Sequence, residues 1–130
     1  RQFSPVAVLW SATSQRAAWL RGQFDAFKRA EAQVMNALYA AGHDPMLVSE
    51  QQLADGVLAK RGVRVLVAPM TLALGRGDKQ GDLPLLPAVQ TLLDAGGAVV
   101  VTDVPELDGF LRPAALPDAV VKRLTRFDPT

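Results

Sequence analysis

Four short apolar runs, rich in β-branched residues, punctuate the chain. They are PVAVLW at 5–10, PMLV at 45–48, VRVLVAP at 63–69 and AVVVT at 98–102. Each is too short for a helix and has the composition of a buried strand. Pro45 at the head of the second fits an edge strand, where a missing N–H is tolerated. Between the runs, apolar positions recur every three, four or seven residues. Leu20, Phe24, Phe27, Val34, Leu38 and Ala41 fall on one helical face, interrupted only by Glu31. Leu53, Val57 and Leu58 make the inner face of a second helix, expected from Ser49 through Lys60. Leu85, Leu86, Val89, Leu92 and Leu93 mark a third. Val120, Val121, Leu124 and Phe127 mark a fourth.

The boundaries carry local signals. Ser49 followed by Gln52 has the spacing of a capping box. Pro84 or Pro87 suits a first helical turn, and Asp118 suits an N-cap. Gly22 divides the first helical stretch into a short turn and a main helix. Gly42, Gly62 and the Gly96–Gly97 pair stand where helices should stop. Residues 71–82 (TLALGRGDKQGD) are glycine-rich and polar, as a loop would be.

The order is therefore β-α-β-α-β-α-β-α. Strands that are apolar almost throughout have both faces covered, and right-handed crossovers then build a parallel sheet with helices on both sides. The expected fold is α/β: a flavodoxin-like three-layer α/β/α domain with at least four parallel strands in the order 2-1-3-4, occupying residues 1–130. Val8, Leu66, Val67, Val99 and Val100 are its expected buried centre.

Composition narrows the chemistry. The chain has 130 residues, no cysteine, one histidine and a net charge of +1. Without a thiol there is no disulfide, no thiolate metal site and no cysteine nucleophile. Near-neutral charge, with Arg16, Arg21, Lys28 and Arg29 spread among acids, gives no track for nucleic acid. No apolar run approaches the ~18 residues of a membrane-spanning helix. Arg1 opens the chain where a methionine would stand, so a domain of a longer protein is expected.

In open parallel sheets, ligands sit beyond the carboxyl ends of the strands. Those positions hold Ser11, Thr13 and Ser14 after strand one, Glu50 after strand two, Met70 and Thr71 after strand three, and Asp103 and Glu106 after strand four. Ser11, Thr13, Ser14, Thr71 and Asp103 are the candidate ligand-binding residues. The stretch 11–16 (SATSQR) offers hydroxyls to a phosphate, but it has no glycine to let the backbone wrap closely. Helix capping by Ser14 or Thr13 explains it more simply. Asp103, Glu106 and Asp108 read best as a solvated turn. His43, the lone histidine, falls at the opposite, amino-terminal edge of the sheet. A Ser–His pair would have to bridge a strand's length, ~17 Å. Neither a metal nor a cofactor is expected.

The segments VAVLW, ALYAAGHDPMLVSE, GVRVLVAPM and LLDAGGAVVVTD together resemble the class I glutamine-amidotransferase-like superfamily. More narrowly, they resemble the middle or trimerisation domain of family 42 β-galactosidases and related glycoside hydrolases. The resemblance spans roughly residues 6–103. In active amidotransferases the fourth strand leads to a glycine-flanked cysteine on a tight elbow. Here Thr102-Asp103-Val104-Pro105 stands in its place, so the resemblance implies the scaffold without the reaction. It implies a non-catalytic domain that packs on other domains of its chain and on neighbouring copies, a homo-oligomer of which a trimer is one form. Trp19, Met35, Tyr39 and Phe110 lie off the core stripe or in the irregular stretch before the last helix. They are the expected interface residues, since aromatics and methionine are enriched at interface centres. A flavodoxin-like domain that binds a small ligand, or acts as an enzyme, through the loops after strands one and three is the competing expectation.

Overall fold

The computed structural model describes residues 6–69, 85–102 and 116–126. The elements in chain order are β1 (Val6–Trp10), α1 (Ala12–Leu20), α2 (Phe24–Ala40), β2 (Met46–Ser49), α3 (Glu50–Ala54), α4 (Val57–Lys60), β3 (Val65–Ala68), α5 (Leu86–Asp94), β4 (Ala98–Val101), α6 (Asp118–Val121) and β5 (Thr125–Arg126). All strands run parallel in one sheet ordered β2-β1-β3-β4-β5. This is a three-layer, flavodoxin-like α/β architecture. It contains the four expected strands in the expected order and adds β5, two residues that no apolar run announces.

Right-handed crossovers assign the layers. The step from β1 to β2 goes one way along the sheet, and its helix α2 lies on one face. The steps to β3, β4 and β5 go the other way and put α3 to α6 on the opposite face. The core follows this division. Ala7, Leu9, Leu66, Ala68, Val99 and Val101 turn towards Leu53, Leu58, Val89, Leu92, Leu93 and Val120 in the larger cluster. Val6, Val8 and Val67 turn towards Val34 of α2 in the smaller one. Val8, Leu66, Val67 and Val99 are buried as expected. Val100 is only half-buried; it lies on the face where, among the described residues, α2 supplies the packing. Beside α2 that face opens into an apolar trough of about 400 Å³, lined by Val34, Leu38, Val65 and Val100 among others, with His43 at its amino-terminal end.

Several expected helices are differently bounded. The stripe beginning at Leu20 is broken, since Leu20 ends α1 and is 61% exposed. The chain turns at Gly22 before α2 starts, so the helical phase does not carry across. Phe27 and Val34 remain the buried stripe, and Ala41 is exposed past the end of α2. The helix from Ser49 does begin with a full capping box. It does not run to Lys60, because Gly56 at φ 84° reverses the backbone and separates α3 from α4. The last helix is a single turn, N-capped by Pro117 rather than Asp118, and Leu124 lies beyond it.

Candidate functional site

β1 and β2 are neighbours in register, with Trp10 opposite Ser49. Their carboxyl ends therefore release Ser11 and Glu50 side by side, at the edge where this architecture places its ligands. Ser11 is the N-cap of α1. Its extended backbone (φ −101°, ψ 105°) lets Oγ accept from Ser14 N–H at 3.0 Å, and its hydroxyl donates to Ser14 Oγ at 2.9 Å. The cap is Ser11 and not Ser14 or Thr13, because the helix starts at Ala12, three residues earlier than a Ser14 cap requires and two earlier than a Thr13 cap.

Thr13 has a different partner. Glu50 Oε1 accepts from Thr13 N–H at 3.0 Å and from Thr13 Oγ1–H at 3.1 Å. α1 has no acidic residue in its own first turn. A carboxylate from 37 residues away supplies the negative charge that a helix N-terminus favours. The other oxygen, Glu50 Oε2, is buried and has no hydrogen-bond partner. Ser11, Thr13 and Ser14 are all buried. Outside them a hollow of about 250 Å³ is lined by Trp10, Ala12, Thr13, Ser49, Glu50 and Gln51.

The structure thus brings together Ser11, Thr13 and Ser14, but as an internal clamp. The donors that could cradle a phosphate are already engaged: Ser14 N–H by Ser11, Thr13 N–H and hydroxyl by Glu50. An anion would have to displace a carboxylate. The histidine does not stand beside the buried serines: His43 borders the trough at the opposite strand ends. Two larger hollows among the described residues, the trough and one of about 310 Å³ between α4 and α5, are lined mainly by apolar side chains, with His43 in the first and Thr91 in the second. Thr71 and Asp103 lie outside the described residues, as do Met70, Glu106 and Phe110.

Of the interface candidates, Trp19 is 65% and Tyr39 55% exposed, while Met35 is half-buried against the smaller core. Leu47 and Trp10, which the periodicity did not single out, are also exposed. The contact that sequence reading missed is Glu50 with Thr13. Only the adjacency of β1 and β2 hints at it.

The clamp makes a testable demand. Ser11→Ala should cost about 1 kcal/mol, the usual worth of a serine cap. Glu50→Ala should cost about 1–3 kcal/mol, because it strands a buried N–H and a hydroxyl together. Glu50→Gln keeps an acceptor and should lose less. Urea unfolding of the three variants checks the ranking, and equal losses for Gln and Ala would show that Glu50 does not act through its acceptor.

No protein family, curated protein or solved structure was found to match this chain.

Proposed function

We propose that this chain is a non-catalytic structural and assembly domain of a glycoside hydrolase of the β-galactosidase kind. The observation that carries the reading is the closed carboxyl edge at β1 and β2. Where a helix N-terminus that binds an anion presents free N–H groups, this chain engages Thr13 N–H with its own Glu50. The sequence resemblance points the same way, since it retains the scaffold and lacks the nucleophilic cysteine. Its partners are then the other domains of the parent chain and further copies of it.

Exposed aromatic residues supply a surface for that role. Trp19 ends α1 just before the turn into α2, and Tyr39 lies in the last turn of α2. The 17 residues of α2 set them roughly 25 Å apart. An interface using both runs the length of the helix, a span compatible with a standard patch of about 800 Å² per partner. In the full-length protein, Trp19→Glu with Tyr39→Glu should lower the oligomeric mass measured by light scattering and leave the domain folded. An unchanged mass with both replaced counts against this surface.

A second reading has one observation in its favour. The hollow beside Trp10 holds an indole next to a carboxylate whose Oε2 has no partner. A small ligand carrying a hydrogen-bond donor is the occupant that such a hollow suits, and this is the ligand-binding alternative.

A further inference from the structure

We propose that β2 is a self-pairing edge, through which two copies of this chain join antiparallel about a twofold axis at Leu47. The inference rests on the assembly reading and names its partner.

The two edges of the sheet differ. β5 is two residues long, both exposed, and ends in Arg126, so a second copy would bring like charges together. β2 is four residues long and uncharged, and Leu47 is 58% exposed. Among the described residues nothing pairs with its outer side. Proteins commonly blunt such an edge with a charge or a proline; the four residues of β2 carry neither, and Pro45 and the acidic Asp44 and Glu50 stand just outside them.

The hydrogen bonds of β2 select both partner and register. Ser49 gives its N–H to Gln52 Oε1 at 3.0 Å, so that group turns away from β1. The two-residue period of a strand then turns the N–H and C=O of Leu47 outward as well. Pro45, two residues further back, has no N–H. Along the outward row 45, 47 and 49, Leu47 alone therefore offers a free donor. A twofold axis through Leu47 satisfies it completely, because the two Leu47 residues exchange N–H···O bonds in both directions. Pro45 then faces Ser49 of the second copy, and neither has a donor to lose. Leu47 side chains meet on one face, bordered by Trp10, which register places on the same side. Met46 faces Val48 on the other. Asp44 and Glu50 flank the pairing, but the Glu50 carboxylate is turned inward to Thr13.

Such a small interface falls at the weak end of the range, so pairing should develop between ~5 and ~500 µM chain. Sedimentation equilibrium of the 130-residue chain should show the mass rising from 13.9 kDa towards twice that value. Leu47→Lys and Leu47→Pro should each weaken pairing at least about tenfold, with the denaturant midpoint of the monomer unchanged. The lysine adds charge repulsion, and the proline removes the outward N–H together with the leucine side chain. Trp19→Glu and Tyr39→Glu should leave the curve as it is. A monomer across the whole range overturns the proposal, as does a dimer indifferent to both Leu47 variants. If the full-length assembly instead depends on Trp19 and Tyr39 but not on Leu47, this edge is wrong and the assembly reading stands. If the chain turns over a ligand at the carboxyl edge while Leu47 still controls its mass, the assembly reading fails and the pairing stands.

Discussion

Gly97→Ala is expected to destabilise the domain by about 3 kcal/mol, the upper part of the range for forcing a carbon into a packed interior. A Cβ on Gly97 would lie 2.7 Å from the carbonyl oxygen of Arg64, 2.9 Å from Leu92 Cγ and closer still to Leu92 Cδ1. The carbonyl cannot retreat cheaply. It accepts from Ala98 N–H at 2.9 Å and immediately precedes the β3–β4 ladder, where Val65 pairs with Ala98. Leu92 is buried in the larger core and borders the hollow between α4 and α5, so the backbone carbonyl is the fixed obstacle and moving Leu92 adds a cost in core packing. The neighbouring glycine separates this from backbone strain. Gly96 has φ +86°, and its nearest foreign atom is the tip of Arg64 at 3.6 Å. Gly96→Ala should therefore cost only the left-handed conformation, about 1 kcal/mol. Urea unfolding of both variants gives the comparison. Equal losses would mean that the approach of Arg64 and Leu92 is not what Gly97 serves.

Leu66→Ala should cost about 3–4 kcal/mol through lost burial and the cavity it leaves. Leu66 is 1% exposed in β3, with β1 on one side and β4 on the other, and it faces the larger core. Against a typical total of 5–15 kcal/mol, that would leave the domain marginal. Val100→Ala, on the half-covered face, should cost about 1 kcal/mol, because part of the side chain is already in water. The urea midpoints should differ accordingly. A larger loss at Val100 than at Leu66 would mean that the two faces of the sheet have been assigned the wrong way round.

The strands and their order were legible because their signal is one of composition over four to seven residues, and the crossover rule has little freedom. The helix boundaries were less so. Leu20 has the right spacing from Phe24 and Phe27, yet it is exposed because the turn at Gly22 resets the helical phase. Gly22 marks the division in the sequence, but a periodicity count carried across it cannot register the reset of phase. Gly56 breaks a helix whose start was correctly marked by Ser49 and Gln52. The start signal is local, whereas continuation depends on how α3 and α4 pack. β5 is too short to have a pattern. At the carboxyl edge, the serine-rich stretch was visible as a capping signal, but its donor to Glu50 was not. That contact spans 37 residues and exists only because β1 and β2 are adjacent.

α2, α4 and α5 each end in the same way before the strand that follows. The third residue past the helix end donates back into the last turn: His43 to Leu38 O, Val63 to Leu58 O and Gly97 to Leu92 O, at 2.8–2.9 Å. These closures use only residues within a few positions of one another, so they can form before any strand has found its neighbour. Each helix can stop at its proper place in an otherwise open chain and release the next segment already extended. The search left to folding is then the slow one, the long-range alignment of parallel strands. It begins from strands whose first residues have been fixed in advance.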